Sequence, residues 1–371
     1  MSPKRRATPL FRQIDRYVGI PAAALLAAAP KRKRPPDSSI RRIGILKTAA
    51  VGDTLLLVGI PEALETRFPG ARIVMITGRD NAGVIPLLGK SIREHVIVAP
   101  TRPIAAARAI RRLRLDLLLE CGPWPRIDAL LGALSGARYR VGFRVKGQAR
   151  HFGFDAVVDH SSAVHQLENF RQLARAVGAT ELAVPAIARP GVLQRGQMPA
   201  GPYAVFHPWS GGFMGGVKEW PAERWLELGR RLFRERGLRI VVTGGPGDVE
   251  RSAELARALT VAVAAGSAES VAGSYSLVEM ADLLAESALV VSVNTGIMHL
   301  AALVGARTVS LDGPTPVRRW GPLGPRVRSA VARGSGCGYL DLGFEYAGQR
   351  LDCMDEISVE EVMRLVNELA G

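Results

Sequence analysis

A lone carboxylate stands where a predicted strand is followed by a predicted helix. Asp53 ends the stretch Lys47-Thr-Ala-Ala-Val-Gly-Asp53, which follows the apolar run Ile43-Gly-Ile-Leu46 and precedes leucines at helical spacing. This pattern predicts a strand, a turn and a helix, with Asp53 in the first helical turn. A carboxylate at that point either caps the helix or does chemistry on a ligand. The residues alone leave both interpretations open.

A glycine-rich loop with one lysine predicts an anion site in the second half of the chain. The stretch His207-Pro-Trp-Ser-Gly-Gly-Phe-Met-Gly-Gly-Val-Lys218 joins a predicted strand to a helix that begins near Pro221. Glycines allow backbone N–H groups to turn toward an anion, and Lys218 adds a positive charge, so the loop suits a diphosphate. It lacks the Gly-Lys-Ser/Thr setting of a P-loop. A purely structural loop is the alternative.

A second strand-to-helix turn carries groups suited to the same anion. It reads Ser292-Val-Asn-Thr-Gly-Ile-Met-His299. We expect Asn294 or Thr295 to cap the helix, which leaves the N–H groups of Gly296 and its neighbours for the phosphates. His299 lies one turn into the helix, where it either reaches the ligand or is a core residue.

These stretches are positioned by alternating short apolar runs and helical patterns, typical of parallel sheets with helices on both faces. In the first half we predict strands at 43–47, 72–76, 96–99, 115–119 and 139–142, and helices at 53–67, 103–114 and 164–178. In the second half we predict strands at 203–207, 239–243, 289–293 and 308–311, and helices at 221–236, 248–259, 277–286 and 296–305.

The predicted fold class is α/β, with two Rossmann-like, doubly wound domains that face each other across a cleft. Their predicted bounds are 43–185 and 203–330, joined by a Pro/Gly-rich linker at 186–202. A basic extension precedes them at 1–42, and a loop with a closing helix follows at 331–371. In the closing helix Ser358 and Glu361 fit a capping box.

Four ordered signatures resemble glycosyltransferase family 9, typified by the lipopolysaccharide heptosyltransferases. They cover nearly everything after residue 42 and lie at 47–53, at 207–210 with 218–221, at 294–299 with 313–316 and 319–322, and at 353–362. The resemblance implies a GT-B fold and an inverting transfer that uses no cofactor and no bound metal. It also implies a nucleotide-diphosphate sugar held mainly by the second domain. The sequence contains no Asp-x-Asp motif, in agreement with metal-independent chemistry.

The resemblance also implies roles for single residues. Asp53 becomes the general base that takes the acceptor's proton in a single displacement. The positions that match diphosphate contacts of the family are Ser210, Lys218, Thr295 and Gly296, and His299 matches the family's histidine in the same helix. Asp248 or Glu250 is expected near the ribose, and Tyr275 is expected to border the base. One position departs from the pattern, because Asn294 stands where the family usually has an aspartate that helps to hold the donor. An amide can donate as well as accept, so the sugar need not be heptose.

The charge of the chain suggests an anionic partner. The net charge is +15, and residues 1–42 hold eleven Lys/Arg against two Asp, so 11 − 2 = +9 lies there. Within residues 16–34 lies an apolar run of about ten residues, half of what a spanning helix needs. This extension is either a membrane-surface segment or a solvated tail. A second basic run contributes Arg138, Arg140, Arg144 and Lys146, which suit an anionic acceptor or form a solvated face.

Three cysteines give no disulfide framework, so we expect a reducing compartment. We expect Cys337 and Cys353 to be small buried thiols, and the alternative is that they approach each other across a loop. The leading hypothesis is an inverting glycosyltransferase, peripheral on the inner face of the cytoplasmic membrane. It would move heptose or a related sugar to a lipopolysaccharide-core or other lipid-linked acceptor. A GT-B nucleotide-sugar epimerase is the enzymatic alternative. The net positive charge alone would also suggest a nucleic-acid-binding protein. The sequence lacks the helix-turn-helix, zinc-binding and stacking-aromatic signatures of that class.

Overall fold

The computed structural model describes residues 9–28, 31–32, 39–211, 215–340, 350 and 352–370. The chain divides into two compact units, residues 1–185 and 186–371. Within the described ranges each unit contains one six-stranded, wholly parallel sheet. Each sheet is flanked by the helices that connect its strands, which is the doubly wound arrangement.

The first unit is built on the strand order β3-β2-β1-β4-β5-β6. Its strands are β1 (Arg42–Lys47), β2 (Arg72–Thr77), β3 (Ile92–Ile97), β4 (Leu117–Glu120), β5 (Tyr139–Arg144) and β6 (Ala156–Asp159). Its helices are α1 (Pro9–Tyr17), α2 (Gly19–Leu25), α3 (Val51–Leu55), α4 (Ile60–Arg67), α5 (Pro103–Arg112), α6 (Arg126–Leu134) and α7 (Gln166–Arg175). The strand order reverses between β1 and β4, so the carboxyl ends of these two strands form the switch point at which such sheets bind ligands.

The second unit repeats the plan with the order β12-β11-β10-β7-β8-β9. Its strands are β7 (Tyr203–His207), β8 (Arg239–Val242), β9 (Ala268–Ser270), β10 (Leu289–Val293), β11 (Thr308–Asp312) and β12 (Val327–Val331). Its helices are α8 (Ala222–Arg236), α9 (Val249–Ala262), α10 (Leu277–Glu286), α11 (Gly296–Leu303), α12 (Val317–Trp320) and α13 (Val359–Ala370). Here the switch point lies between β7 and β10.

Two predicted elements of the first unit are wrong in extent. The helix predicted over 53–67 is divided into α3 and α4, because Gly59 takes a left-handed φ of +83° and α4 begins at Ile60 with Pro61 in its first turn. The strand predicted at 96–99 is β3, which starts four residues earlier, at Ile92, and ends at Ile97. The elements that escape the sequence prediction are the strands β6, β9 and β12 and the helices α1, α2, α6 and α12. The strand β9 has only three residues, too few to show a periodic pattern.

The N-terminal extension is anchored to the first unit where the structure describes it. The carboxylate of Asp15 accepts from the backbone N–H groups of Arg126 and Ile127 at the start of α6, and it pairs with the Arg126 guanidinium at 2.9 Å. Ala23 of α2 is fully buried. Lys31 donates to the carbonyls of Phe152 and Phe154. These contacts fix Asp15, Ala23 and Lys31 on the first unit, whereas most of the other described residues of the segment are exposed. The neighbouring residues 33–38 lie outside the described ranges.

The predicted linker belongs to the second unit and is held there by specific bonds. The backbone N–H of Ile187 donates to the Leu303 carbonyl. The buried carboxylate of Asp282 accepts three further backbone N–H groups, those of residues 191–193, at 2.6 to 2.9 Å. These bonds hold the pKa of Asp282 below its usual value, against the opposing effect of its burial.

The expectation of two free thiols near the C-terminus is wrong. Cys337 and Cys353 form a disulfide with a Cα–Cα distance of 5.7 Å. Cys353 opens a short 3₁₀ turn, Cys353–Glu356, that leads into α13. The indole of Trp220 donates to the Ile357 carbonyl at 2.8 Å, and Arg224 donates to the carbonyls of Met354 and Asp355. Ser358 accepts from the N–H of Glu361 at 3.2 Å, which is half of the predicted capping box.

Candidate active site

Asp53 lies at the switch point of the first sheet, just after β1. The turn between β1 and α3 places Ala50 at φ 69°, a backbone conformation that costs free energy for any residue other than glycine. Asn81 stabilises this turn, because its amide donates to the Lys47 carbonyl and to the Thr54 hydroxyl, both at 2.8 Å. Thr54 in turn donates to the Ala50 carbonyl at 2.7 Å. The strained turn is thus held in place by hydrogen bonds on both sides.

The carboxylate of Asp53 is not a helix cap. The N-cap of α3 is Ala50, and Asp53 instead accepts a hydrogen bond from Lys47 Nζ at Oδ2, 2.9 Å away. Both side chains are shielded from solvent. Within the described part of the chain, Oδ1 of Asp53 accepts no hydrogen bond. One carboxylate oxygen is therefore fixed by a lysine and the other is available to a proton donor.

Beside Asp53, a buried charged cluster follows β4. Glu120 and Arg150 are both buried and form an ion pair at 2.6 Å. Burial raises the pKa of Glu120 to about 7, against the opposing effect of Arg150. The neighbouring Asp128 accepts from the Thr48 hydroxyl at 2.5 and 2.7 Å, which joins α6 to the turn that carries Asp53. These bonds stiffen both sides of the switch point.

In the second unit, the two turns predicted to hold a diphosphate meet. A 3₁₀ turn, Gly215–Lys218, brings Lys218 to the carboxyl end of β10, where its ammonium donates to the Asn294 carbonyl at 3.3 Å. Burial lowers the pKa of Lys218 to about 8, and the carboxylates of Asp312 and Glu219 oppose this shift. The loop and the turn lie on β7 and β10, the two strands that border the switch point.

The helix α11 offers unpaired polar groups at this place. Its N-cap is Thr295, whose side chain makes no capping bond, so the capping prediction holds for the position but not for the hydroxyl. Among the described residues, the buried hydroxyls of Thr295 and of Thr315, after β11, have no hydrogen-bond partner. Buried hydroxyls without partners are costly, which favours a ligand that satisfies them. Gly296 opens the helix, and His299 is buried one turn further on.

Asn294 uses its amide hydrogens inside the protein. Its Nδ2 donates to Oδ1 of Asp312 at 2.6 Å and to the Trp320 carbonyl at 3.0 Å. Both amide hydrogens of Asn294 therefore have acceptors within the protein. Asp312 is fully buried at the end of β11, and burial raises its pKa to about 6, against the hydrogen bonds from Ser310 and Asn294.

The other predicted donor residues are placed unequally. Ser210 is buried, and its N–H donates to Glu219. Asp248 pairs with Arg251 and accepts from the N–H of Gly245, whereas Glu250 is exposed. The Tyr275 hydroxyl donates to the Gln197 carbonyl. Residues 212–214 of the glycine-rich loop lie outside the described ranges. The structure thus brings Lys218, Asn294, Thr295 and Gly296 together and leaves Glu250 facing solvent.

The basic run proposed for the acceptor is largely paired with acids. Arg140 forms a bidentate contact with the buried Asp155, at 2.9 and 3.1 Å, so its charge is neutralised within the protein. Arg138 pairs with Asp116 and Arg144 with Asp159. Lys146 is exposed and has no ion pair within the described residues. An acceptor role for Arg140 therefore conflicts with its structural bond.

Three residues of these sites were not singled out from the sequence: Lys47, Glu219 and Asp312. Each acts on a predicted residue through a side-chain contact, with Asp53, Ser210 and Asn294 respectively. Asp312 follows a buried strand and precedes Gly313, and such an acid at a strand end is a usable signal.

Neither a metal site nor a membrane span is found in the part of the chain that the structure describes. No group of three or more His, Cys, Asp or Glu side chains there could hold a metal ion. None of the helices in those ranges has the length and hydrophobicity needed to cross a bilayer.

Comparisons with known proteins agree with this architecture. The family model described as glycosyltransferase family 9 (heptosyltransferase) matches residues 126–338. Lipopolysaccharide heptosyltransferase 1 of Pseudomonas aeruginosa is 35% identical over 324 residues, which is 79% of this chain and 84% of that protein.

Solved structures show the same fold. The glycosyl transferase family 9 structure from Veillonella parvula DSM 2008 has a TM-score of 0.69 at 17% identity and covers 89% of this chain and 97% of its own. The E. coli heptosyltransferase WaaC with ADP has a TM-score of 0.69 at 21% identity. The match covers 88% of this chain and 99% of that one. The predicted GT-B fold class is confirmed by these likenesses.

Proposed function

Because the chain belongs to glycosyltransferase family 9, we propose that it transfers heptose from ADP-heptose to a lipopolysaccharide-core acceptor with inversion at the anomeric carbon. The observation that carries the proposal is the geometry of Asp53. One oxygen of its carboxylate is fixed by Lys47, and the other accepts no hydrogen bond within the described residues. A fixed carboxylate with an available oxygen suits a general base.

The proposed reaction is a single displacement. The acceptor hydroxyl oxygen attacks the anomeric carbon, and its proton passes to Oδ1 of Asp53. The bond between that carbon and the diphosphate breaks, and ADP leaves with the electron pair. Lys218 and the N–H groups at the start of α11 oppose the charge that grows on the leaving phosphate. These groups belong to the protein, and the proposed chemistry requires no cofactor or metal.

Support for the donor comes from the second unit and from relatives. The similarity to lipopolysaccharide heptosyltransferases points to heptose, and a solved relative carries ADP-2-deoxy-2-fluoro heptose. Within this chain, Lys218 and the unpartnered hydroxyls of Thr295 and Thr315 lie at the carboxyl ends of adjacent strands or in the loops after them. That arrangement suits the diphosphate of a nucleotide sugar.

The proposed location is the inner face of the cytoplasmic membrane. Helices α1 and α2 expose large apolar side chains, with Tyr17 70% and Leu25 79% exposed. The segment that contains them carries a net +9 charge. Apolar anchors beside basic residues favour an anionic lipid surface, which is also where a glycolipid acceptor resides.

A transfer assay tests the proposed activity. The purified chain is incubated with ADP-heptose and a truncated lipopolysaccharide that lacks heptose. The mass of the product is then measured by mass spectrometry. We expect the acceptor to gain the mass of one heptosyl group. A sample without acceptor is the control. Interconversion of the sugar in that sample, with no gain of mass in the first, would indicate an epimerase and refute the proposal.

A further inference from the structure

Asp312 is a buried carboxylate to which the proposed reaction gives no role. It ends β11, is fully buried and accepts from Asn294 Nδ2 at 2.6 Å. Ser310 also donates to it, and the Ser310 hydroxyl lies 2.9 Å from that of Ser329. Lys218 is close enough for electrostatic attraction. The carboxylate therefore lies directly behind the residue at which this chain departs from its family.

The contacts of Asn294 allow a single orientation of its amide. Both hydrogens of Nδ2 have acceptors, one the Asp312 carboxylate and the other the Trp320 carbonyl. Turning the amide over would place Oδ1 against two acceptors and would break both of these hydrogen bonds. The acceptor Oδ1 is therefore the group that Asn294 has left for a ligand, and within the described residues it accepts no hydrogen bond.

We propose that Asp312 is a positioning residue that fixes Asn294 with Oδ1 toward the donor, so that the site selects a sugar with a hydroxyl group that donates to this oxygen. This inference rests on the proposed function, because it assumes that the family's aspartate position contacts the sugar. Asn294 then does what an aspartate would do there, since it accepts a hydrogen bond, but without a charge of its own. The negative charge lies one layer deeper, on Asp312.

The pair also explains why Asn294 is an asparagine. An aspartate at this position would place a second carboxylate about 2.6 Å from Asp312. Two carboxylates at that distance cannot both be ionised, so one would be protonated or displaced. Restoring the family's residue alone should therefore damage the site, whereas exchanging the two side chains should preserve the bond between them.

The experiment is a double-mutant cycle of Asp312→Asn, Asn294→Asp and the exchanged double variant. Calorimetry on the full chain gives Kd for ADP and for ADP-heptose, and the readout is the ratio of the two. A ratio cancels any general loosening of the nucleotide site. We expect each single substitution to weaken the binding of ADP-heptose roughly tenfold relative to the binding of ADP, as for one lost hydrogen bond. The double variant should recover part of that ratio, because the bond between the two side chains returns while the Trp320 carbonyl faces a carboxylate oxygen instead of an N–H donor.

Three outcomes would count against the idea. An unchanged ratio in Asp312→Asn, or no recovery in the double variant, would overturn the positioning role alone. A wild-type protein that binds ADP-heptose no more tightly than ADP would contradict both this inference and the proposed donor. The melting temperature of each variant is measured beside the affinities. If a single variant does not fold, the double variant still tests the exchange against the wild type.

Discussion

The ammonium of Lys47 lies 2.9 Å from Oδ2 of Asp53, and the two side chains are only 2% and 10% exposed. The contact joins the end of β1 to the first turn of α3. Because a buried charge without a partner is costly, removing either residue affects the other. The pair therefore serves both the stability of the first unit and the orientation of the proposed base.

Asp53→Asn should lower the transfer rate by roughly 10²–10⁴, the usual contribution of a positioned acid or base. The amide keeps the shape of the side chain but cannot take up the proton. ADP affinity should stay within about twofold of wild type, because the proposed nucleotide site belongs to the second unit. Steady-state kinetics well below the melting temperature measures the rate, and calorimetry measures the affinity. Transfer at a near-normal rate would remove Asp53 from the mechanism.

A double-mutant cycle of Lys47→Met and Asp53→Asn should change the free energy of unfolding and the transfer rate in different ways. Asp53→Asn leaves the more deeply buried ammonium without a counter-charge and should cost about 3 kcal/mol of unfolding free energy, the lower end for a broken buried pair, because the amide oxygen can still accept from Lys47. Lys47→Met leaves a carboxylate that is partly in water and should cost less. The double variant should regain stability, because no isolated charge remains, but not activity. Urea unfolding gives the free energies. Equal and additive losses would show that the two charges do not interact.

The affinity for ADP should fall as pH rises from 7 to 9. Lys218 has a pKa lowered to about 8, so its ammonium is charged below that pH and neutral above it. Asp312, which acts on Lys218 and has a pKa raised to about 6, is already ionised in this range. The phosphates of ADP are also fully charged there. Calorimetry should show that the ADP affinity of the wild type falls roughly tenfold over this range. The Lys218→Met variant should bind ADP more weakly at every pH, and its affinity should not change with pH. Parallel profiles would place Lys218 away from the diphosphate.

Binding to anionic vesicles should depend on the exposed apolar residues of α1 and α2. The double variant Tyr17→Ser with Leu25→Ser should bind phosphatidylglycerol vesicles roughly tenfold more weakly, because it removes two interfacial anchors. Val261→Ser is the matched control, since Val261 is 89% exposed on α9 of the second unit. Co-sedimentation at low and high salt measures the binding. Equal binding by both variants would contradict a role for the N-terminal helices.

Reduction of the disulfide should lower the stability of the second unit. The bond links residues 16 apart in sequence, and a loop of that size corresponds to about 3 kcal/mol of stabilisation. Thermal unfolding with and without a thiol reductant measures the effect. The Cys337→Ser variant is the control, because reductant should leave its melting temperature unchanged. A wild-type melting temperature that does not respond to a reductant that opens the bond would contradict the prediction.

Much of the fold can be predicted because its strands are local signals. The strands Tyr203–His207 and Leu289–Val293 match their predicted bounds, since each is an apolar run that ends in a polar turn. The break in the helix after Asp53 depends on the positive φ of Gly59 and on Pro61 in the first turn of α4, which the spacing of the apolar residues does not reveal. The strand β12 contains the exposed or half-buried Arg328 and Val331 and lacks a clear pattern.

The sites could be predicted only as single residues. Asp53, Lys218 and Asn294 stand in recognisable turns, but the partner of each comes from tertiary structure. Nothing local shows that Lys47 neutralises Asp53, or that Asp312 accepts the amide of Asn294 from a neighbouring strand. The same limit explains the basic run, because the acid that pairs with Arg140 lies fifteen residues further along the chain.

The C-terminal segment that bonds to Trp220 and Arg224 affects the order in which the two units can fold during synthesis. The 3₁₀ turn Cys353–Glu356 and α13 supply core residues of the second unit, among them Met354, Val362 and Val366. The first unit draws its strands from residues before 160 and can fold while translation continues. The second unit cannot close its hydrophobic core until residues 353–370 have emerged from the ribosome. A premature stop codon shortly before that segment should therefore give a chain whose first unit folds and whose second unit is recognised by chaperones and proteases.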